Sequence, residues 1–165
     1  MSQSTPAIDG VLNNESGTPI ENDNGRGLSV WGITWATAQP LQPDWTEETL
    51  RGLTRGQAAT FYYLHFWQKY NIGLINDQEL ASKTLDLTVN MGGGTAIRLL
   101  QQAASVTPID GVLGPNTARA VNAMEPARAL LMLRSLAQQH YLCLIANNPA
   151  LDKYYDGWMA RLDRG

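Results

Sequence analysis

Ile8, Val11 and Leu12 stand at i, i+3 and i+4, the spacing of one helical face, so a short helix is expected at the start of the chain, with Thr5 as N-cap and Pro6 at its first position. From Gly17 on, glycine, asparagine and proline break that period. Leu28 to Trp35 then has the β-branched and aromatic content of a short strand or hairpin. Pro40 and Pro43 are expected to hold a loop. Thr46-Glu47-Glu48 and Thr54-Arg55-Gly56-Gln57 are capping-type starts, and the second of the helices they open carries Phe61, Tyr62, Tyr63, Leu64, Phe66 and Trp67. Asp77 is expected to cap a helix to about Asn90, and Thr95 another to about Val106. Met91-Gly92-Gly93-Gly94 between them reads as a tight corner of two packed helices, because helix connections in compact domains are short. After a loop with the turn dipeptides Asp110-Gly111 and Gly114-Pro115, helix resumes near Pro115 and again at Glu125-Pro126, the latter running to about Asn147 before Pro149. A last helix aligns Tyr154, Trp158 and Leu162 on one face. The pattern predicts a mainly α protein with a small β element near the N-terminus.

Composition narrows the class. A chain of 165 residues is the size of one domain, and 44% hydrophobic with 16% charged residues is far from disordered or fibrous sequences. Twelve Lys and Arg against 15 Asp and Glu leave a net charge of -3, which argues against a nucleic-acid partner held by a basic surface. No apolar run approaches the roughly 20 residues of a membrane helix, so no stable membrane insertion is expected. The first fifteen residues have neither a basic segment nor an apolar core, so synthesis in the cytoplasm without a signal peptide is expected. The single Cys143 rules out an intrachain disulfide. Set among Leu142, Leu144 and Ile145, it reads as a buried apolar residue. His65 and His140 lie in helices without paired ligands, so we expect no metal and no cofactor. Nucleotide loops and the serine-hydrolase elbow are absent from the sequence.

Two places can carry chemistry. Glu15 follows Ile8, Val11 and Leu12 at helical spacing, which puts its carboxyl at the end of the apolar face. Partial desolvation there raises a pKa toward the range of a general acid; the alternative is a helix-end Glu bonded to water or to the next turn. The segment Glu21 to Gly27, followed by Ser29 and Trp31 to Thr34, adds carboxylates, amides and hydroxyls within twenty residues of Glu15. Glycosidases pair an acid with a second carboxylate or a positioned water, and this segment can supply either; the simpler reading of these residues alone is an ordinary hydrophilic turn. The rings from Phe61 to Trp67 are mostly core, with one or two available as a sugar-stacking wall.

Glu15-Ser16-Gly17, Asp23 to Gly27 and Trp31-Gly32-Ile33-Thr34 resemble the Glu-Gly-Gly... Asp-x-Gly-Gly-x-Thr-x-Tyr-Gly-Ile-Thr signature of glycoside hydrolase family 108. Tyr62, Tyr63 and Trp67 fall where that family has a Tyr-x-x-x-Tyr-Trp-like segment. Asp86 to Gly92 is similar to its Asp-x-x-Val-Asn-x-Gly helix. Leu100-Gln101, Asp110 to Thr117 and Gly157 to Arg161 are similar to its C-terminal, peptidoglycan-binding portion. Ser16, Thr18, Arg26, Ser29 and Trp31 depart from the usual Gly, Tyr, Gly, Thr and Tyr, and Asp23 aligns with the family's Asp when one residue is inserted before Gly32.

The resemblance spans residues 8 to 164. It implies an α+β lysozyme-like fold of one domain over 1–165, with a catalytic half at 5–84 and a helical peptidoglycan-binding half at 85–164. The implied activity is that of a phage-endolysin type N-acetylmuramidase, lytic and antimicrobial, with Glu15 as acid and Asp23 as candidate second group. Ser29, Trp31, Thr34, Tyr63 and Asn90 are its candidate substrate contacts, Asn90 either holding an acetamido group or serving as a helix C-cap. Glycan strands of peptidoglycan are the implied partner of a monomer that reaches the periplasmic wall through a holin or a secretion system. A lytic transglycosylase and a non-cleaving binding module are the alternatives.

Overall fold

The computed structural model describes residues 1–23, 25 and 27–164; Asn24 and Arg26 of the polar segment, and Gly165, lie outside them. The architecture is mainly α with one small antiparallel hairpin, the lysozyme-like class expected. Two compact units divide the chain, Ser4–Lys69 and a second made of Met1–Gln3 with the chain from Tyr70 onward.

In the first unit, α1 (Ser4–Asn13) buries Ala7, Ile8, Val11 and Leu12, the face the spacing marks, and starts one residue before the expected cap Thr5. Strands β1 (Ser29–Val30) and β2 (Ile33–Thr34) pair Ser29 with Thr34 and Val30 with Ile33. The Thr34 side chain then accepts from the Thr37 backbone N–H and starts α2 (Trp35–Leu41). The loop expected at Pro40 is therefore the last turn of a helix. Proline there removes one N–H, and the turn still closes through Gln42 N–H to the Ala38 carbonyl at 2.8 Å. Both capping starts form boxes, opening α3 (Glu47–Arg51) and α4 (Arg55–Tyr62).

Past Tyr62 the helix widens to π geometry over Tyr63–Gln68. Tyr62 and Trp67 are both buried, and residues five apart would point about 140° apart on an α-helix. The i to i+5 winding brings both rings to the core side.

In the second unit, the Asp77 side chain caps α5 (Gln78–Met91) through the Leu80 N–H at 2.8 Å. Gly92, at φ +87°, makes the corner into α6 (Gly93–Ala103). Thr95 is not the cap: the helix starts two residues earlier, where Gly93 faces the Tyr70 ring so closely that any Cβ would enter it. Buried Gln101 organises the following loop, donating to the Asp110 carboxylate at 2.7 Å and accepting from the Gly111 N–H at 2.9 Å. Then come α7 (Pro115–Asn122), α8 (Pro126–Asn147), a 3-10 segment over Pro149–Tyr154 and α9 (Tyr155–Asp163). Helix α8 turns Ala129, Leu130, Leu133, Ala137 and Tyr141 inward. Cys143, two residues or about 200° past Tyr141, is exposed, so the expectation of burial from its apolar neighbours is wrong.

Candidate active site

Glu15 lies just beyond α1, its backbone N–H donating to the Leu12 carbonyl at 3.3 Å, and is half-buried. Its carboxyl rests on the backbone of Gly32: a Cβ at that position would come within 2.7 Å of the Glu15 carboxyl carbon and 3.0 Å of Oε2. Gly32 has φ +73° and Trp31 φ +54°, so the connection between β1 and β2 is a two-residue turn with both residues in the left-handed region, the I′ pattern.

Tryptophan is a poor residue for the first place of such a turn, and this conformation is costly for any bulky side chain. The surroundings hold it there. The Trp31 N–H donates to the Ser16 carbonyl at 2.9 Å, the indole N–H to the Leu53 carbonyl at 2.8 Å, and the buried Tyr62 phenol to the Trp31 carbonyl at 2.9 Å. The indole also lies so close over Gly17 that any side chain there would enter the ring. Glycine at 17 and 32 therefore lets the hairpin turn, the indole and the Glu15 carboxyl meet.

A second turn leads into β1. Ile20 bridges Ser29 through paired backbone bonds of 2.9 Å, and Asp23 donates its N–H to the Gly27 carbonyl at 3.0 Å. Glu21 is fixed to Arg51 by a two-pronged ion pair, and the guanidinium holds its carboxyl below the usual range. Asp23 is half-buried on this turn.

The remaining sequence candidates separate. Ser29 and Thr34 face each other across the hairpin, but they are only 2% and 5% exposed. The Thr34 hydroxyl is taken up by the α2 cap and by Thr37 Oγ1 at 3.0 Å. Tyr63 opens the π segment and is exposed, while its neighbour Tyr62 makes the bond to the hairpin. Asn90 belongs to the second unit, where its Oδ1 accepts from the Tyr141 phenol at 2.7 Å. Sequence reasoning missed Gly32, Tyr62 and Leu53 as parts of the site. A two-residue connection ending in glycine between Val30 and Ile33 was the available signal for the first. Among the described residues, no group of three or more His, Cys, Asp or Glu is placed to hold a metal ion, and no helix is long and apolar enough to cross a membrane.

A family model described as Glycosyl hydrolase 108 matches residues 8–92, and one described as Predicted Peptidoglycan domain matches residues 95–163. Among solved structures, that of Brucella abortus SagA is similar in fold, with a TM-score of 0.82 and 23% identity, covering 98% of this chain and 90% of that one. No curated protein matches the chain. With the first family model covering more than half of its residues, Glu15 and the hairpin among them, the chain belongs to the glycosyl hydrolase 108 family and is a peptidoglycan-degrading glycosidase.

Proposed function

We propose that this glycosidase is a muramidase of the endolysin type, cutting the β-1,4 bond between N-acetylmuramic acid and N-acetylglucosamine with Glu15 as general acid. The observation that carries the reading is the Glu15 carboxyl seated on Gly32, in a turn that three hydrogen bonds to Trp31 hold in a strained conformation. Strain of this kind persists where geometry serves a purpose, and general-acid catalysis needs a carboxyl held within hydrogen-bond reach of the glycosidic oxygen.

In this mechanism protonated Glu15 gives its proton to the leaving oxygen as the C1–O bond breaks, and positive charge develops across C1 and the ring oxygen. A second carboxylate then stabilises that charge or activates the attacking water. Asp23 fits this role better than the two hydroxyls, because Ser29 and Thr34 are buried and Thr34 is already engaged. Trp31 and exposed Tyr63 are the candidate rings for sugar contact, and Asn90 the candidate donor to an acetamido group.

Glu15→Gln keeps shape and removes the proton. Release of soluble muropeptides from purified walls should fall by about a thousand-fold, within the range of a lost general acid. A variant that still clears the walls sinks the assignment. Mass spectrometry of the parent's products checks the reaction type, since a hydrolase leaves a reducing sugar and a transglycosylase an anhydro sugar lighter by one water.

A further inference from the structure

We infer that Asn90 and Tyr141 form a reader of the N-acetyl group of the glycan, with Asn90 making the contact and Tyr141 acting as its positioning residue. This rests on the proposed reading that the substrate is an N-acetylated glycan.

Asn90 stands in the last turn of α5 and Tyr141 on the inner face of α8. Tyr141 is 1% exposed, and its phenol meets Asn90 Oδ1 at 2.7 Å. An amide can be turned either way, so the direction has to be argued from the partners. Were the Asn90 NH2 facing the phenol, the Tyr141 O–H would be a buried donor with no other acceptor among the described residues, which is expensive. The phenol therefore donates and Asn90 accepts. Burial pushes the Tyr141 pKa up, so the donor proton stays in place at any ordinary pH. The ring cannot swing away, because it is stacked on Trp158 at 4.6 Å between centroids and 14° between planes.

The consequence falls on the other end of the amide. With Oδ1 taken, the Asn90 NH2 points away from Tyr141 and has no hydrogen-bond partner among the described residues, and Asn90 is only half-buried. A neutral pair of N–H donors with a fixed direction is matched by a carbonyl oxygen. The acetamido carbonyl is the neutral acceptor of that kind that every sugar of the strand carries, whereas a free amine in its place would present donors to donors.

The test reads binding, without turnover, on the full-length chain carrying Glu15→Gln. Calorimetry gives the ratio of affinities for N-acetylglucosamine oligomers and for the same oligomers after de-N-acetylation, with chemical re-acetylation as control. The parent should favour the acetylated oligomer. Tyr141→Phe, which keeps the ring on Trp158, and Asn90→Ala should each cut that preference about five-fold, the worth of one net hydrogen bond. The double variant should lose no more than either single one, because Tyr141 acts through Asn90. Both ligands are measured on one preparation, so the ratio does not depend on the folded fraction. The inference is overturned by a parent without preference, by a Tyr141→Phe protein that keeps the parent's ratio, or by losses that add in the double variant. If Glu15 is not the acid, the Glu15→Gln chain still releases soluble muropeptides from purified walls, a readout separate from this affinity ratio. An inactive Glu15→Gln protein whose ratio Asn90→Ala does not change removes this inference alone.

Discussion

The two units of this glycosidase are built on different physics. In Ser4–Lys69 the helices are short, one winding is π, and a tryptophan sits in the left-handed region because three specific bonds and a glycine beneath its ring hold it there. The unit from Tyr70 onward is made of longer α-helices, has Asn71 and Ser105 at positive φ, and carries a buried charge group. Lys83, 3% exposed, donates to the Arg161 carbonyl at 2.7 Å and lies 3.8 Å from Asp86, which also pairs with Arg161. Burial lowers the Lys83 pKa, with Asp86 pulling the other way. Trp31 is held in its turn beside the proposed acid, while the second unit buries Lys83 against Asp86 and the Arg161 carbonyl and, among the described residues, leaves Ser2 Oγ, Thr88 Oγ1 and Arg134 Nε buried without a hydrogen-bond partner; placing the acid and burying a charge are tasks given to different parts of the chain.

That contrast can be broken by experiment. The largest stability effect is expected in the second unit: Asp86→Asn leaves the Lys83 ammonium buried without a counter-charge and should cost about 3 kcal/mol, lowering Tm by about 6–12 °C. The kcat of the protein that remains folded should hardly change, and a large fall in kcat would erase the division of labour. Gly32→Ala should do the reverse. A Cβ at φ +73° costs about 1–2 kcal/mol and must also displace the Glu15 carboxyl, so kcat should fall by at least about ten-fold while Tm moves by only a few degrees. Wall-clearing kinetics beside a thermal melt settle which quantity moved.

Smaller again is Tyr62→Phe, which deletes the bond to the Trp31 carbonyl and should cost about 1 kcal/mol. A rise in KM with kcat intact would show that the turn serves binding and not the acid. Least of all is salt. With a net charge of -3 giving no overall attraction to an anionic wall, activity on purified walls should change less than about two-fold between low and physiological ionic strength. A steep loss would point to a charged patch in one unit steering the encounter.

Legibility along the chain follows how local the cause is. The capping residues Thr46, Thr54, Asp77 and Glu125 stand where their sequence context puts them, because a cap is decided within four residues. The corner at Gly92 was legible for the same reason. Thr95 misled because the helix starts at Gly93, a poor helix former whose place is set by packing against the Tyr70 ring, more than twenty residues away, that leaves no room for a Cβ. Cys143 misled because α8 is apolar on more than one face, as exposed Leu131 and Leu142 show, and composition cannot say which face the core takes. The family boundary and the packing boundary also differ: the first family match runs to residue 92, while α5 packs with α6 and α8 in the second unit.

By itself, the sequence determined the helical class, the small hairpin, the family and Glu15 as the residue to test. These rest on periodicity, caps and short motifs, all of which act over a few neighbouring residues. Only the tertiary structure decided that Glu15 sits on Gly32, that Tyr62 and Leu53 hold Trp31 in its turn, and that Tyr141 fixes which way the Asn90 amide faces. Those contacts join residues 17 to 51 positions apart. No local rule reaches that far, because such pairs meet only when side chains compete for the same buried space and every buried donor must find its acceptor.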